Sequence, residues 1–568
     1  MAASLLATLN PISAFPEYHG PYSVGTVDVE IPAADLPTAC NAPEDAQPTI
    51  AFRIFYPCVK PSSHEEDRPV RWIPQPQRLT AAALLRFLGL KDRNASVLSY
   101  FPQQLYYIKL RAHRNAKLLE PPTSNRRWPV TVFSHGLAGS RNSYSYVCGD
   151  LASNGMMVIA VDHRDGSSPI QYVRKTGDTE AHVVDTVSIS HKPNKEVWEA
   201  RDKQLRIRLW EVSMVYEALV KIDGGQELEN LDFNTSSKRR ERVDVLQRFN
   251  SKMDLHRPGK VSWCGHSFGA TTVTQLLKSV YYSAERPADA ERPLLTPSPD
   301  SAIVPQITPE SSTLLLDMWG LPLQSPDQAF LLDRPLPSYA VDGPEGNNVL
   351  SVLSEGFFKW QENLNFNKRV IAAPTKPYKP SATGKPLPAW ARLRDESPSQ
   401  DSGYASQDSQ QPERSSSRPA SEGSEHNSPL SDVPAETSPT RSIRRSKGPH
   451  MFYVQQSQHF SQSDFGILFP WLTRRLAKTE EPEYILELNT RAMVQVLREA
   501  GIELHGTNDR TILEPDGNVR KWMSVRIDGE RTSETEPSAT HRNLSFSNNA
   551  APTDDVSKGK NAAAHLDL

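Results

Sequence analysis

The chain has 568 residues, with 64 Lys+Arg against 67 Asp+Glu and a net charge of −3, which excludes the strongly basic face of a nucleic-acid binder. Hydrophobic residues make up 37% and prolines number 47; apolar content is thus below the ~45–50% of a compact chain, so we expect one large folded core diluted by disordered segments. Four scattered cysteines, Cys40, Cys58, Cys148 and Cys264, exclude a disulfide framework or a cysteine zinc site and indicate a reducing compartment.

Residues 1–15 read as a tail that lacks the basic start and apolar core of a signal peptide. No apolar run approaches the roughly 18 residues of a membrane span. A cytoplasmic protein, peripheral to a membrane at most, is therefore expected. The alternation in Val27-Asp-Val-Glu-Ile31 predicts a half-exposed antiparallel strand. A second strand is predicted over 49–56, ended by Pro57. Residues 79–90 form a short, nearly all-apolar helix candidate, either a core helix or one lying in a lipid interface.

From residue 129 the pattern changes. Residues 129–133 and 156–161 are continuous apolar runs, as in strands buried on both faces. A helix is predicted between them over 144–154, with Gly155 as its stop. Leu205, Leu209, Val212, Tyr216 and Leu219 recur at helical spacing and predict a long helix over 197–222. A strand over 260–264, a helix over 270–277, and strands over 312–316 and 338–341 follow. Strands alternating with helices predict an α/β fold with a mostly parallel sheet covered on both faces.

Residues 374–448 are dense in Ser, Pro, Gln and charge, and cannot bury enough apolar surface to order themselves. We expect a disordered insertion, because the sheet pattern resumes at 451–454 and a helix follows over 484–500. Ser397-Pro, Ser428-Pro and Ser438-Pro in the insertion are low-grade phosphorylation matches. The tail from 529 to 568 is expected to be disordered too. That leaves 16–373 with 449–528 as a single domain.

The sharpest chemical signal is Gly265-His-Ser-Phe-Gly269 between a predicted strand and a predicted helix. It is the G-x-S-x-G nucleophile elbow, in which a strained serine needs small residues two positions either side. Ser267 is the candidate nucleophile, with Gly265 and Gly269 shaping the elbow. A serine needs a base and a group to orient that base. Asp317 directly follows the strand over 312–316; Asp333 and Asp342 are rivals. His459 follows the strand over 451–454, whereas His450 precedes it and falls at the wrong edge. Ser134-His-Gly-Leu-Ala-Gly139 closes the strand over 129–133 and occupies the oxyanion-loop position, so Leu137 and Phe268 are the predicted N–H donors. The His163-Arg-Asp165 segment is expected to be structural.

With these motifs the chain resembles the platelet-activating-factor acetylhydrolases, α/β-hydrolase serine esterases of lipoprotein-associated phospholipase A2 type. The likeness rests on Phe133-Ser-His-Gly-Leu137, Val161-Asp-His-Arg-Asp165, Gly265–Gly269, Leu316-Asp-Met-Trp319 and Ser457-Gln-His459, with Arg71-Trp-Ile-Pro74 upstream. It implies an α/β-hydrolase fold, a Ser267–Asp317–His459 triad, and Leu137 and Phe268 as oxyanion donors. It implies calcium-independent cleavage of the sn-2 acetyl or short acyl ester of a phospholipid, with no metal or cofactor; because such substrates sit in membranes, the Leu79–Leu90 helix is a candidate for membrane contact, with a buried core helix as the more frequent case. A generic carboxylesterase is the alternative, and a non-catalytic scaffold a weaker one.

Overall fold

The computed structural model describes residues 14–63, 67–87, 89–100, 103–286, 292–332, 334–374, 447–477 and 479–527. The predicted N-terminal tail, insertion and C-terminal tail, the three Ser-Pro sites and the rival Asp333 lie, in whole or nearly so, outside the described residues.

Eleven strands form one sheet. In chain order they are β1 (Ser23–Pro32), β2 (Thr49–Cys58), β3 (Pro69–Arg71), β4 (Lys109–Arg114), β5 (Val130–Ser134) and β6 (Met157–Asp162). A separate hairpin of β7 (Ile170–Val173) and β8 (His182–Asp185) follows. The sheet continues with β9 (Ser262–His266), β10 (Thr313–Leu316), β11 (Val349–Ser354), β12 (His450–Val454) and β13 (Trp522–Ser524). The spatial order is β13-β12-β11-β10-β9-β5-β6-β2-β1-β4-β3. The run from β6 through β5, β9, β10 and β11 to β12 is parallel. β2 pairs antiparallel with β6, and β1 with β2.

The apolar runs read from sequence are these parallel strands, and each of β5, β6, β9 and β10 is buried along its length. Burial on both faces requires two covering layers. Helices Ser145–Ser153 and Pro482–Glu499 pack Val147, Leu151, Leu488 and Met493 on one face. Helices Lys195–Asp223 and Phe268–Tyr281 pack Leu205, Leu209, Leu276 and Leu277 on the other. The chain leaves β5 for β6 on one side, then returns to β9 on the opposite side. The carboxyl ends of β5 and β9 thus flank a topological switch point, where open α/β sheets place their sites. This order, with an antiparallel β2, is the α/β-hydrolase fold.

Three expectations are corrected. Residues 337–339 are a 3-10 turn rather than a strand. Pro335 and Pro337 break up this stretch, since proline removes a ladder donor. The strand beside β10 is instead β11, ten residues further on. β1 is not half-exposed: Asp28 and Glu30 are buried. Asp28 receives a two-pronged bond from Arg53, at 2.7 and 3.0 Å. Glu30 pairs with Arg164 at 3.0 Å. The segment from Asn230 to Thr235 covers that face and bonds the β1 backbone. Lastly, β2 runs through Pro57 to Cys58.

The apolar helix spans Gln77–Phe87, and among its residues only Ala81 and Ala83 are buried. It is therefore not a core helix. Leu79 is exposed, as are Val97, Leu98, Tyr100 and Tyr107 in the segment that follows it. Among the described residues, no helix is long and apolar enough to cross a membrane.

Candidate active site

Ser267 sits between β9 and helix Phe268–Tyr281 with φ 56° and ψ −118°. A serine in that region stores roughly 1–3 kcal/mol of strain. The turn is held by its own backbone: Ser267 N–H donates to Leu316 O at 2.8 Å, and Trp319 N–H donates to Ser267 O at 3.3 Å. The two elbow glycines have a steric reason. A Cβ on Gly265 would overlap the Gly269 backbone, and one on Gly269 would overlap the Ser134 carbonyl.

Asp317 directly follows β10 and is fully buried. Its N–H donates to Val352 O on β11 at 2.9 Å. Its carboxylate accepts from Ser354 N–H at 2.6 Å, Ser354 Oγ–H at 2.7 Å and His459 Nδ1 at 2.9 Å. A carboxylate only accepts, so His459 carries its proton on Nδ1 and offers a lone pair at Nε2. The imidazole is sandwiched between Phe357, at 4.4 Å and 7°, and His266, at 4.4 Å and 29°. The structure thus brings Asp317 and His459 together at the sheet edge that carries Ser267. It leaves Asp342 on an exposed turn and His450 buried at the opposite end of β12.

The loop after β5 presses against the elbow. A Cβ on Gly136 would lie 2.9 Å from the Ser267 Cβ. Ala138 N–H donates to Ser167 O at 2.8 Å, and Gly139 N–H to Gly136 O at 3.2 Å. Just before them, the Leu137 N–H has no acceptor among the described residues, and neither has the Phe268 N–H at the start of its helix. Two such donors beside a serine are what a developing alkoxide needs.

Histidines around the site are held neutral. His163 N–H donates to His135 Nε2 at 3.0 Å, so His135 is protonated at Nδ1, which bonds Gly136 O at 2.8 Å. Burial, with Arg208 nearby, pushes His135 down to about 4. Tyr144 accepts from Gly136 N–H at 3.3 Å, so its hydroxyl hydrogen goes to His266 Nδ1 at 2.7 Å. Burial, with His459 beside it, holds His266 well below the usual imidazole range. Behind the loop, Ser134 Oγ bonds His163 Nε2 at 2.8 Å, and His163 Nδ1 bonds Glu211 Oε2 at 2.8 Å. All three are buried. Arg164 and Asp165 are also buried and paired, with Glu30 and Arg208 respectively.

His266, Asp317 and His459 bring ligand-type atoms within 4.8 Å of one another. A metal at the Asp317 carboxylate would compete with the bonds its two oxygens already accept from Ser354 and His459. The donor set suits proton transfer better than ligation. Ser354, Phe357, His266 and Tyr144 escaped the sequence reading. The apolar run Val349–Leu353 after Asn347-Asn348, with a capping serine at its end, carried a strand signal that would have located Ser354.

The family model described as platelet-activating factor acetylhydrolase, isoform II, matches residues 7–329, which include Ser267 and Asp317. A putative phospholipase A2 of Schizosaccharomyces pombe is 26% identical over 511 residues, covering 88% of this chain and 95% of the relative. Platelet-activating factor acetylhydrolase of Canis lupus familiaris is 29% identical over 269 residues, covering 47% and 52%. That of Cavia porcellus is 30% identical over 277 residues, covering 48% and 55%. The chain thus spans about half the length of these two mammalian relatives.

Proposed function

The chain belongs to the platelet-activating factor acetylhydrolase isoform II family, and from that premise we propose that it hydrolyses the sn-2 acetyl or short acyl ester of phospholipids through an acyl-enzyme on Ser267. In this reading Ser267 Oγ attacks the ester carbonyl and His459 Nε2 takes its proton. Asp317 keeps the other imidazole proton in place and stabilises the imidazolium. The carbonyl oxygen becomes an alkoxide that accepts from the Leu137 and Phe268 N–H groups. Collapse expels the lysophospholipid hydroxyl, protonated by His459. Water, activated by the same histidine, then releases the acid. Every proton moves between Ser267, His459, substrate and water.

The observation that carries the reading is the Asp317–His459 bond at 2.9 Å beside a strained serine elbow. Contact with a lipid surface is part of the proposal. Leu79, Val97, Leu98, Tyr100, Tyr107 and Trp471 are large, apolar and exposed, as interfacial contacts require. The four cysteines are free and buried, which supports placement in a reducing compartment. We retain 16–373 with 449–528 as one domain.

The test is product analysis with vesicles of choline phospholipids that differ only in the sn-2 chain: acetyl, butyryl or palmitoyl. Release of acetate and butyrate, insensitive to EDTA and abolished by an organophosphate ester, is expected. Higher turnover on monomeric soluble esters would favour a generic carboxylesterase. Activity lost to EDTA and restored by calcium, with organophosphate resistance, would overturn the serine mechanism.

A further inference from the structure

Arg208 lies on the long helix Lys195–Asp223 and is fully buried. Its Nε donates to Asp165 Oδ2 at 2.6 Å, one Nη to His135 O at 2.7 Å and the other to Ser167 Oγ at 2.6 Å. The guanidinium also lies over the Phe268 ring, 4.4 Å from its centroid.

Each of three contacts leads to a candidate oxyanion donor. The His135 carbonyl belongs to the peptide just before the one that bears the Leu137 N–H. Ser167, whose hydroxyl bonds both Arg208 and Asp165, accepts the Ala138 N–H through its carbonyl at 2.8 Å. That bond fixes the peptide just after Leu137. Phe268 carries the second donor itself. The loop after β5 and the elbow after β9 are separate pieces of chain, and one guanidinium touches both.

We infer that Arg208 is a positioning residue that sets the spacing of the Leu137 and Phe268 N–H groups; the inference rests on the proposed reading of those groups as oxyanion donors. The task needs an arginine. A planar fork can donate in three directions while its face stacks on an aromatic ring, and a lysine ammonium has neither property. Asp165 supplies the countercharge that makes a buried guanidinium tolerable. An ion pair that served only the fold would leave turnover per folded active site unchanged when loosened.

The experiment uses the full chain with Arg208→Lys and Ser167→Ala. Active sites are titrated with a fluorophosphonate, and kcat and KM are measured on 4-nitrophenyl acetate. The affinity of an alkyl trifluoromethyl ketone is measured in parallel, because its adduct with the serine places an alkoxide between the two donors. Arg208→Lys is expected to lower kcat per titrated site about 10- to 100-fold, with KM within about threefold, and to weaken the ketone by the same factor as kcat/KM. Ser167→Ala leaves the Arg208–Asp165 pair intact and is expected to give the same split at about 3- to 10-fold; it carries the test alone if Arg208→Lys does not fold. Unchanged kcat per site, or a fall in kcat without parallel loss of ketone affinity, overturns the inference. Ser267→Ala is run alongside: turnover or labelling retained in that variant would instead overturn the serine reading itself.

Discussion

His459 Nδ1 and Asp317 Oδ2 meet at 2.9 Å although 142 positions separate them in the chain. Ser354 holds the same carboxylate through both its N–H and its hydroxyl. The acid therefore has one orientation, and it dictates the tautomer of the histidine.

Asp317→Asn should lower the rate on the order of 10⁴, since an amide can present its NH2 to Nδ1 and reverse the tautomer. Ser354→Ala removes one of two bonds from that serine, and a bond to a charged group contributes about 1.5–3 kcal/mol, so a loss of about 10- to 100-fold is expected. Asp342→Asn lies on an exposed turn and should change little. Steady-state kinetics on one ester rank the three; a larger loss at Asp342 would reassign the acid.

Ser267→Ala should abolish fluorophosphonate labelling and turnover while the protein stays folded. Ser267→Gly should do the same and also raise thermal stability, by about 1 kcal/mol, because glycine adopts φ 56° without the Cβ penalty. Calorimetry on the two variants checks this, and equal melting temperatures would remove the claim of stored strain.

Acidification should set two groups of buried residues against each other: neutral histidines, which lose stability as pH falls, and Asp202, Glu211 and Asp464, whose carboxyls burial pushes up to about 6, 8 and 7 and which act in the opposite direction. Burial holds His135 and His450 at about 4, and His163 and His266 well below the usual range. An unfolded imidazole titrates near 6.5. Between these values the unfolded chain binds protons at these histidines that the folded chain does not, so their contribution to stability rises with pH in that window and is lost on acidification. Each histidine contributes a slope of about 1.4 kcal/mol per pH unit. Urea unfolding between pH 4.5 and 7 measures the total. His450→Gln, remote from the site, should reduce the slope by about one such increment; an unchanged slope would show that His450 is not held neutral.

Arg53→Met should destabilise the fold by about 3–5 kcal/mol, because it removes both direct bonds to the buried Asp28 carboxylate and leaves it Arg141 at 3.7 Å. Adding Asp28→Asn should recover part of that loss. A double variant no more stable than the single would show that Arg53 acts through packing alone.

Replacing residues 380–446 with a short Gly/Ser linker should leave folding and the chemical step intact, on compositional grounds. Soluble yield and kcat on one ester are the readouts. Loss of soluble protein would move the domain boundary.

How much of this was legible in the sequence depended on chain distance. The elbow is a local object. Gly265 and Gly269 are required by atoms within a few residues of Ser267, or by the neighbouring strand end, so a pentapeptide between a strand and a helix sufficed to find it. Continuous apolar runs likewise announced β5, β6, β9 and β10, because burial on both faces leaves no room for polar positions. The alternation in β1 pointed the wrong way. Asp28 and Glu30 look solvated in isolation, and only the arrival of Arg53, Arg164 and the Asn230–Thr235 segment makes their burial affordable. The choice between Asp317 and Asp342 was also open in the sequence, since each follows a short apolar stretch. The pairing of β10 with β11 brings Ser354 to Asp317 and leaves Asp342 on a turn, which favours Asp317. Arg208 reads as one more charged residue on an amphipathic helix. Its three acceptors lie on two loops 41 to 73 positions away, and a side chain's hydrogen-bond partners at such separations are set by how the helix docks on the sheet, which no local pattern encodes.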